Sequence, residues 1–305
     1  MQRVLVLDQY KILEIEESAY NNIYFVGDIH GMFHLLEDEL VKVGFDKNKD
    51  LLIATGDLVD RGKNSIQSLD YLNEKWFVSV FGNHDYKFMN IPDNSYMGIF
   101  PPQEQFDREI SNKDIIDLKK TFSDKLYAGI QVNLNSGEKI GVVHADVPSG
   151  ETWSNFKCKI SSGDLESIEC AIWSRKVAKM CLLKINLDNN SLTEEDYNRF
   201  LIDNRMHEFN NNIKYGEIYS LDHLRNWIEE TQRNSYVHDV KYIIHGHSII
   251  SRKDEIVRFA NRIYIDSGAF LTESYRYQDR NGVIELYIPE TDNDFGLTLL
   301  NLKNI

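Results

Sequence analysis

Apolar runs alternate with amphipathic stretches between residues 22 and 89. Three short runs, at 22–26, 51–55 and 76–81, are largely apolar and are each followed by a Gly-Asp or Gly-Asn pair. Such runs are typical of strands that are buried on both faces. The intervening segments 32–43 and 65–73 carry apolar residues at helical spacing, which predicts helices. The pattern therefore predicts a βαβαβ unit in a mainly parallel sheet, with ligands bound beyond the carboxyl ends of its strands.

The second half of the chain has a different pattern. Further strands are predicted at 129–133, 139–143, 241–245, 262–266 and 282–287. Between about 176 and 239 the sequence is mostly helical, with a capping box at 191–194 and one apolar face formed by Leu221, Leu224, Trp227 and Ile228. Because no Pro/Gly/Ser-rich linker divides the chain, we expect a single domain over 1–305 with a helical insertion at about 176–239 that packs on it.

Composition narrows the class of protein. Hydrophobic residues make up 42% and charged residues 27% of the 305 positions, which is ordinary for a globular domain. The formal net charge is −14, and a field of that sign repels nucleic acid and anionic membranes. We therefore expect neither a nucleic-acid nor a membrane partner. An anionic substrate would have to be attracted by local cations, such as metal ions or arginines.

Cysteine usage and hydropathy bear on location. Cys158, Cys170 and Cys181 are an odd number without a CxxC pair, which disfavours both a disulfide framework and a structural zinc knuckle. No apolar stretch approaches the 18 residues typical of a membrane span, and the first residues lack a secretory apolar segment. These features predict a soluble, cytoplasmic protein with reduced thiols.

Candidate metal ligands follow the predicted strands. GDIHG (27–31), GDLVDRG (56–62) and GNHD (82–85) follow the first three strands, and HAD (144–146) and HGH (245–247) follow two later ones. Any one of these motifs alone is more often a polar turn or a buried histidine. At about 5% usage per residue type, however, GDIHG alone has a chance of roughly 10⁻⁶ to 10⁻⁷ per position. Five such motifs in order indicate a metal site.

These motifs, together with WSR (173–175) and YIDSG (264–268), resemble the calcineurin-like metallophosphoesterases. Within that superfamily they are most similar to the phosphoprotein phosphatase branch, and in particular to bacterial and phage serine/threonine phosphatases of the lambda type. The resemblance runs from Gly27 to Gly268, although no motif supports it between 176 and 239. It implies an α/β fold with a metallophosphoesterase-type β-sandwich core of βαβαβ units, flanked by helices and carrying the helical insertion.

The resemblance also implies a binuclear metal site. Asp28 and His30 would bind one ion, Asp57 would bridge the two, and the second ion would be held by Asn83, His144 and His247. Oxygen and imidazole ligands without cysteine suit Mn²⁺, Fe or Zn²⁺, and we expect two divalent ions, with Mn²⁺ first among the three. His247 matches the family's Gly-His position, so His245 is expected to be a supporting residue at the strand end.

Roles in the reaction follow from the same resemblance. A hydroxide bridging the two metals would be the nucleophile, so Ser174 and Ser248 have no catalytic role. His84 would be the general acid and Asp60 would orient its imidazole, while Arg61 and Arg175 would bind the phosphate. The chain departs from the family at Asp85, where glutamate is usual. The shorter side chain keeps the charge but changes its reach.

Three functions remain open on the sequence. The leading hypothesis is a metal-dependent phosphomonoesterase that acts on phosphorylated protein or peptide. The alternative enzyme is a symmetrical dinucleoside tetraphosphate hydrolase, whose motifs are nearly identical and whose substrate is a dinucleoside polyphosphate. From another class comes an inactive phosphate-binding interaction module. The intact set of candidate ligands disfavours this last hypothesis, and the motif DRG disfavours a cyclic-nucleotide or DNA phosphodiesterase.

Overall fold

The computed structural model describes residues 10–90, 111–189, 221–272, 275–278, 284–287 and 295–305, with the backbone alone for 221–224, 275–278 and 284–287. Its strands are β1 (Ile12–Glu16), β2 (Ile23–Val26), β3 (Leu51–Ala54), β4 (Phe77–Val80), β5 (Leu126–Tyr127), β6 (Gly129–Asn133), β7 (Lys139–Val143), β8 (Tyr242–His245), β9 (Val257–Phe259), β10 (Arg262–Tyr264), β11 (Tyr275–Gln278), β12 (Ile284–Tyr287) and β13 (Leu299–Asn301). Its α-helices are α1 (Phe33–Lys42), α2 (Ser68–Asn73), α3 (Asn83–Asn90), α4 (Asn112–Lys125), α5 (Trp153–Ser161), α6 (Leu165–Trp173), α7 (Lys176–Asp188) and α8 (Leu221–Asn234).

The first sheet contains the predicted βαβαβ unit. Its order is β13-β2-β3-β4-β5, with β2 to β5 parallel and β13 antiparallel to β2. All four residues of β2 and of β3 are buried, as expected for strands covered on both faces. Helix α1 buries Leu36 and Leu40 against this sheet. The three strands and two helices predicted over 22–81 are thus confirmed, with helix ends shifted by a few residues.

The second sheet is mixed, with three of its five strand pairs parallel. Its order is β1-β6-β7-β8-β10-β9, with β6–β7 and β9–β10 antiparallel and the other pairs parallel. The reason is local: β6 and β7 are joined by a short turn at 134–138, which permits only an antiparallel pair. The strands predicted at 129–133, 139–143, 241–245 and 262–266 are confirmed here. Strand β1 was not predicted, because it exposes Glu14 and Glu16 and so lacks the continuous apolar run of the buried strands.

The two sheets pack face to face. One buried cluster contains Phe25 and Ile53 from the first sheet together with Ile130, Val142 and Ile244 from the second. Helices cover the opposite faces of both sheets, and their apolar residues join those of the strands in a second cluster. The predicted α/β fold with a β-sandwich core is therefore confirmed. Within the described helices, none is long and apolar enough to cross a membrane.

Three helices outside the βαβαβ unit, α4, α5 and α6, begin at polar caps. The hydroxyl of Thr152 accepts from the backbone N–H of Asn155 at the start of α5, and the carboxylate of Asp164 caps α6 in the same way. The sequence analysis had assigned no element to these two helices. In the predicted insertion, α7 packs Val177 and other apolar residues against Phe259 and Tyr264 of the second sheet. The capping box at 191–194 lies outside the described residues, and the single-domain organisation stays a prediction.

Candidate metal centre

The predicted ligands converge where strands of both sheets end. Asp28 and His30 follow β2, Asp57 follows β3, and Asn83 opens α3 just after β4. From the second sheet, His144 follows β7 and His247 follows β8. All of these side chains are at most 5% exposed. The carboxyl ends of parallel strands are where α/β proteins place ligands, and here two such edges face each other.

The backbone at this centre is unusual. In the described part of the chain, eight non-glycine residues have positive φ, and five of them belong to the predicted site. These five are His30, Asp57, Asp60, Arg61 and His247, with φ between 47° and 75°. Left-handed conformations cost free energy in residues with a Cβ, so the surrounding structure must impose them. They cluster here because successive tight turns direct the side chains toward one point.

Two glycines of the motifs make room for the carboxylates. A Cβ on Gly82 would overlap Oδ1 of Asp57, and a Cβ on Gly246 would overlap Oδ1 of Asp28. Gly82 of GNHD and Gly246 of HGH are therefore required, because each packs closely against an acidic side chain. The presence of glycine at these two motif positions thus has a steric cause.

Two overlapping groups of side chains could each hold a metal ion. One consists of His30, Asp57 and His84, and the other of Asp57, His144 and His247. Oδ2 of Asp57 lies 3.5 Å from Nε2 of His30 and 3.6 Å from Nε2 of His144. The carboxylate common to both groups is the one that the sequence predicted to bridge two ions.

The histidine tautomers suit metal binding. Nδ1 of His30 donates to the carbonyl of Val59 at 3.1 Å, and Nδ1 of His144 donates to that of Thr55 at 2.8 Å. Because a carbonyl oxygen can only accept, each of these nitrogens carries the proton and Nε2 keeps its lone pair. Burial lowers the pKa of both imidazoles, so both are neutral at pH 7.

His247 has the opposite tautomer, but it too keeps one nitrogen unprotonated. Its Nε2 donates to the carbonyl of Trp173 at 3.3 Å, which leaves the lone pair on Nδ1. Burial, and then the neighbouring His144, lower the pKa of this imidazole. Each of the three histidines thus directs an unprotonated nitrogen into the centre.

Nitrogen and oxygen atoms face one another in the centre with their lone pairs, and no proton lies between them. Nε2 of His144 lies 3.0 Å from Nδ1 of His247 and 3.1 Å from Oδ1 of Asn83. Burial, followed by the carboxylates of Asp266 and Asp57, raises the pKa of Asp28 well above its usual value. Facing lone pairs and crowded carboxylates are unfavourable unless a cation lies among them. The residues present therefore fit divalent metal ions.

Asp28 lies beside the two groups but in neither of them. Its two carboxylate oxygens accept from the backbone N–H of His247, at 3.0 and 3.1 Å, and Oδ1 also accepts from Oγ1 of Thr55 at 3.3 Å. These contacts join the turn after β2 to the turn after β8. Asp28 thus adjoins the candidate groups, and its pairing with His30 on one ion stays a prediction.

His84 and Asp60 form a hydrogen-bonded pair. Nδ1 of His84 donates to Oδ2 of Asp60 at 2.5 Å, so that Nε2 is the nitrogen free to exchange a proton. The side chains are 13% and 20% exposed, which makes this the more open side of the centre. The backbone N–H of His84 donates to Oδ1 of Asp57 at 2.8 Å and ties the pair to the ligand cluster.

Both predicted phosphate-binding arginines border the centre. Nη1 of Arg61 donates to Nε2 of His30 at 2.9 Å, and its Nη2 donates to Nε2 of His84 at 3.3 Å. The guanidinium also packs on the ring of Phe270, 4.1 Å from its centroid. Arg175 approaches from the other side, where Nη1 donates to Oγ of Ser248 at 3.2 Å.

Two acidic residues support the centre in ways that the sequence did not assign. Asp85 accepts from the backbone N–H groups of Leu58 and Gly82, both at 2.9 Å, so the shorter acid still joins two site turns. Burial raises its pKa to about 8. Asp266 follows β10, accepts from Gly268, and has a pKa that burial raises to about 6. Its position after a strand was the signal that could have identified it.

His245 stands apart from both metal-binding groups, as expected for a strand-end residue. It is the last residue of β8, is fully buried, and stacks on Tyr264 with ring centroids 5.1 Å apart. Its burial, and then Arg262, lower the imidazole pKa well below the usual value. The structure therefore separates the two histidines of HGH into one that lines the centre and one that packs behind it.

Comparison with known proteins gives the family. The model of the calcineurin-like phosphoesterase family matches residues 22–251, which is more than half of the chain. The chain belongs to this family. The phosphoesterase is therefore a hydrolase, and its candidate ligand groups lie within the matched region.

Individual relatives extend this result. The phosphoesterase is 30% identical over 177 residues to serine/threonine-protein phosphatase 2 of Salmonella typhimurium, covering 55% of this chain and 75% of that one. It is 46% identical over 70 residues to a symmetrical bis(5'-nucleosyl)-tetraphosphatase of Hamiltonella defensa, covering 22% of this chain and 26% of that one. A solved serine/threonine phosphatase from Saccharomyces cerevisiae superposes with a TM-score of 0.48 at 15% identity, covering 97% of this chain and 84% of that chain.

Proposed function

We propose that this phosphoesterase is a binuclear metal-dependent phosphomonoesterase that removes phosphate from phosphorylated proteins. The observation that supports it most strongly is the position of Asp57, whose Oδ2 lies within 3.6 Å of ligand nitrogens in both candidate groups. A single carboxylate shared by two groups is the arrangement that a bridged pair of ions requires.

In this proposal the ligands divide between two ions. Asp28 and His30 would hold the first ion, Asn83, His144 and His247 would hold the second, and Asp57 would be shared by both. Mixed oxygen and imidazole ligands suit Mn²⁺, with Fe or Zn²⁺ as the other candidates. Divalent ions bound there would lower the pKa of a water and polarise the phosphoryl oxygens, so that no nucleophile from the protein is needed.

His84 is the proposed general acid. Its Nδ1 is held by Asp60, so a proton on Nε2 would be available to the oxygen that leaves phosphorus. The carboxylate of Asp60 fixes the orientation and the tautomer of the imidazole. The partial exposure of both side chains allows a substrate to reach them.

Arg61 and Arg175 are the proposed phosphate ligands. Each guanidinium offers two parallel N–H groups to two phosphate oxygens. Arg61 donates to Nε2 of His30 and to Nε2 of His84; it would give up the first contact with an ion on His30 and the second with a proton on His84. Its guanidinium is then available to a phosphate in the same place.

Phosphoprotein is favoured over a dinucleoside polyphosphate by the extent of similarity. The match to the serine/threonine phosphatase extends over 177 residues, whereas that to the tetraphosphatase extends over 70. An inactive phosphate-binding module is disfavoured because the proposed acid, its orienting carboxylate and the ligand groups are all close together. We also propose a single domain over 1–305 with the insertion at about 176–239.

The test compares substrate classes directly. Purified protein in Mn²⁺ would be assayed against phosphoserine, phosphothreonine and phosphotyrosine peptides and against diadenosine tetraphosphate, with kcat/KM measured for each. We expect turnover of at least one phosphopeptide class well above that of the dinucleotide. Selective hydrolysis of diadenosine tetraphosphate would instead support the second enzyme, and no turnover of either would support the interaction module.

A further inference from the structure

A cavity of about 540 Å³ adjoins the metal centre between α6, the start of α7 and α8. Trp173 and Arg175 line it on the side of the centre. The carbonyl of Trp173 accepts from Nε2 of His247, and the guanidinium of Arg175 donates to Ser248, so both residues face the centre as well. A substrate whose phosphate is held by Arg175 would therefore extend its neighbouring groups toward this cavity.

The floor of the cavity is held in place by a buried ion pair. Asp146 lines the cavity and is 2% exposed, and its Oδ1 accepts from Nη1 of Arg262 at 2.8 Å. Nη2 of Arg262 donates to the carbonyl of Val147, another lining residue. Because these groups are bonded to one another, the shape of the floor does not depend on a ligand.

The walls of the cavity are largely apolar. They include Trp173, Val177 and Met180 from the α6–α7 side, Trp227 from α8, and Pro148. Trp173 is 39% exposed although it is large and aromatic. A cavity of this size, lined by aromatic and aliphatic side chains, is suited to a bulky apolar group.

The charged residues that line the cavity are two acids of α6, the cations Arg175 and Lys176, and Asp146, which is paired with Arg262. Glu166 and Glu169 both line it, are exposed, and stand three residues apart on α6, which places them on one face of that helix. Arg175 is directed to Ser248 at the centre, so on the α6 side of the cavity the carboxylates of Glu166 and Glu169 are placed to attract a cationic group. An apolar cavity with two acids on its α6 side complements a peptide in which an apolar residue is accompanied by Lys or Arg.

We propose that this cavity binds an apolar side chain flanking the phosphorylated residue of a protein substrate, and that Glu166 and Glu169 select an adjacent Lys or Arg. The inference rests on the phosphoprotein phosphatase function proposed above. It assigns substrate preference to the junction of α6, α7 and α8 and leaves the reaction itself to the metal centre.

Matched phosphoserine peptides test this preference. The peptides would differ only in two flanking positions, which carry Phe with Arg, Phe with Glu, or two Gly, placed on either side of the phosphoserine. We expect the kcat/KM of the Phe/Arg peptide to exceed that of the Gly/Gly peptide by about 10-fold or more, as is usual for a side chain in an apolar pocket. Each peptide rate would be divided by the rate with p-nitrophenyl phosphate, which has no flanking residues.

Variants of the lining residues test whether the preference for flanking residues arises in this cavity. In Glu166→Gln/Glu169→Gln the ratio of Phe/Arg to Phe/Glu turnover should fall about 5-fold, the scale of partly exposed ion pairs. The double variant Glu74→Gln/Glu255→Gln removes the same charge at exposed positions outside the cavity and should keep the wild-type ratio. Thr231→Trp, which places an indole in the cavity from α8, should raise KM for the Phe peptides relative to the Gly/Gly peptide.

The outcomes separate the two proposals. Phosphopeptide turnover without a flank preference, or with a preference that survives both cavity variants, would overturn the cavity assignment and leave the phosphatase function standing. Hydrolysis of diadenosine tetraphosphate without any phosphopeptide turnover would overturn the phosphatase function, and the peptide subsite with it.

Discussion

The guanidinium of Arg262 donates to the carboxylate of Asp146 across 2.8 Å, and both side chains are buried. Arg262 also donates to the carbonyls of Ser235 and Val147, so one side chain joins β10, the end of α8 and the turn after β7. Asp146 lies in that turn, two residues after His144. The ion pair therefore fixes the backbone from which a predicted metal ligand projects.

Removing the arginine should destabilise the protein strongly. Arg262→Leu leaves Asp146 charged and buried without its partner, which typically costs about 3–5 kcal/mol of unfolding free energy. Urea unfolding monitored by circular dichroism would measure the loss. As a control, Lys241→Ala breaks the exposed contact between Lys241 and Glu138, and its effect should be small. Equal effects of the two substitutions would contradict the structural role assigned to Arg262.

Substitution of the shared carboxylate should remove metal and activity together. Asp57→Asn keeps the shape of the side chain but loses the charge that faces both candidate groups. We expect a marked drop in Mn²⁺ bound per protein, measured by elemental analysis after dialysis, and a parallel loss of phosphatase activity. Asp124→Asn, at an exposed position on α4, should bind metal normally. A normal metal content in Asp57→Asn would rule out the bridging role.

The two histidines of HGH should differ in metal binding. His247→Ala removes Nδ1, which lies 3.0 Å from Nε2 of His144, and we expect about one ion to be lost while the other stays. His245→Ala opens a cavity beside Tyr264 and should cost stability but retain both ions. Metal content would be measured on folded protein, as verified by circular dichroism. The reverse pattern would mean that His245 is the ligand.

Some of this centre could be predicted from sequence and some could not. Asp28, Asp57 and Asn83 follow three consecutive strands of one parallel sheet, so their proximity follows from local pattern and the geometry of βαβ units. His144 and His247 are 103 residues apart and belong to the other sheet. How two sheets pack is set by their combined apolar faces, which periodicity does not specify. The family resemblance supplied that step.

The contacts of the site residues were harder to predict than the residues themselves. Asp85 was recognised as a departure from the family, but its bonds to Leu58 and Gly82 depend on the three-dimensional path of two turns. The contact of Arg61 with His30 likewise depends on backbone at positive φ, which no local propensity predicts for arginine. Local pattern identifies which side chains enter the centre, whereas tertiary packing decides what they contact.

The general acid gives the most specific prediction. His84→Asn should retain the metals but slow hydrolysis of phosphoserine peptides by about 10² to 10⁴, the usual contribution of a positioned general acid. Asp60→Asn should show a related, smaller loss, because the imidazole remains but its Nδ1–H no longer faces a carboxylate. Metal content and kcat would be measured side by side on the same preparations.

The leaving group distinguishes proton transfer from simple positioning. A serine oxygen is a poor leaving group and needs the proton of His84, whereas p-nitrophenolate departs readily without one. The ratio of phosphoserine-peptide to p-nitrophenyl phosphate hydrolysis should therefore fall in His84→Asn, with chemistry confirmed as rate-limiting by single-turnover kinetics. If both substrates instead slow by the same factor, His84 positions phosphate or metal and Arg61, whose Nη2 lies 3.3 Å from its Nε2, becomes the next residue to test.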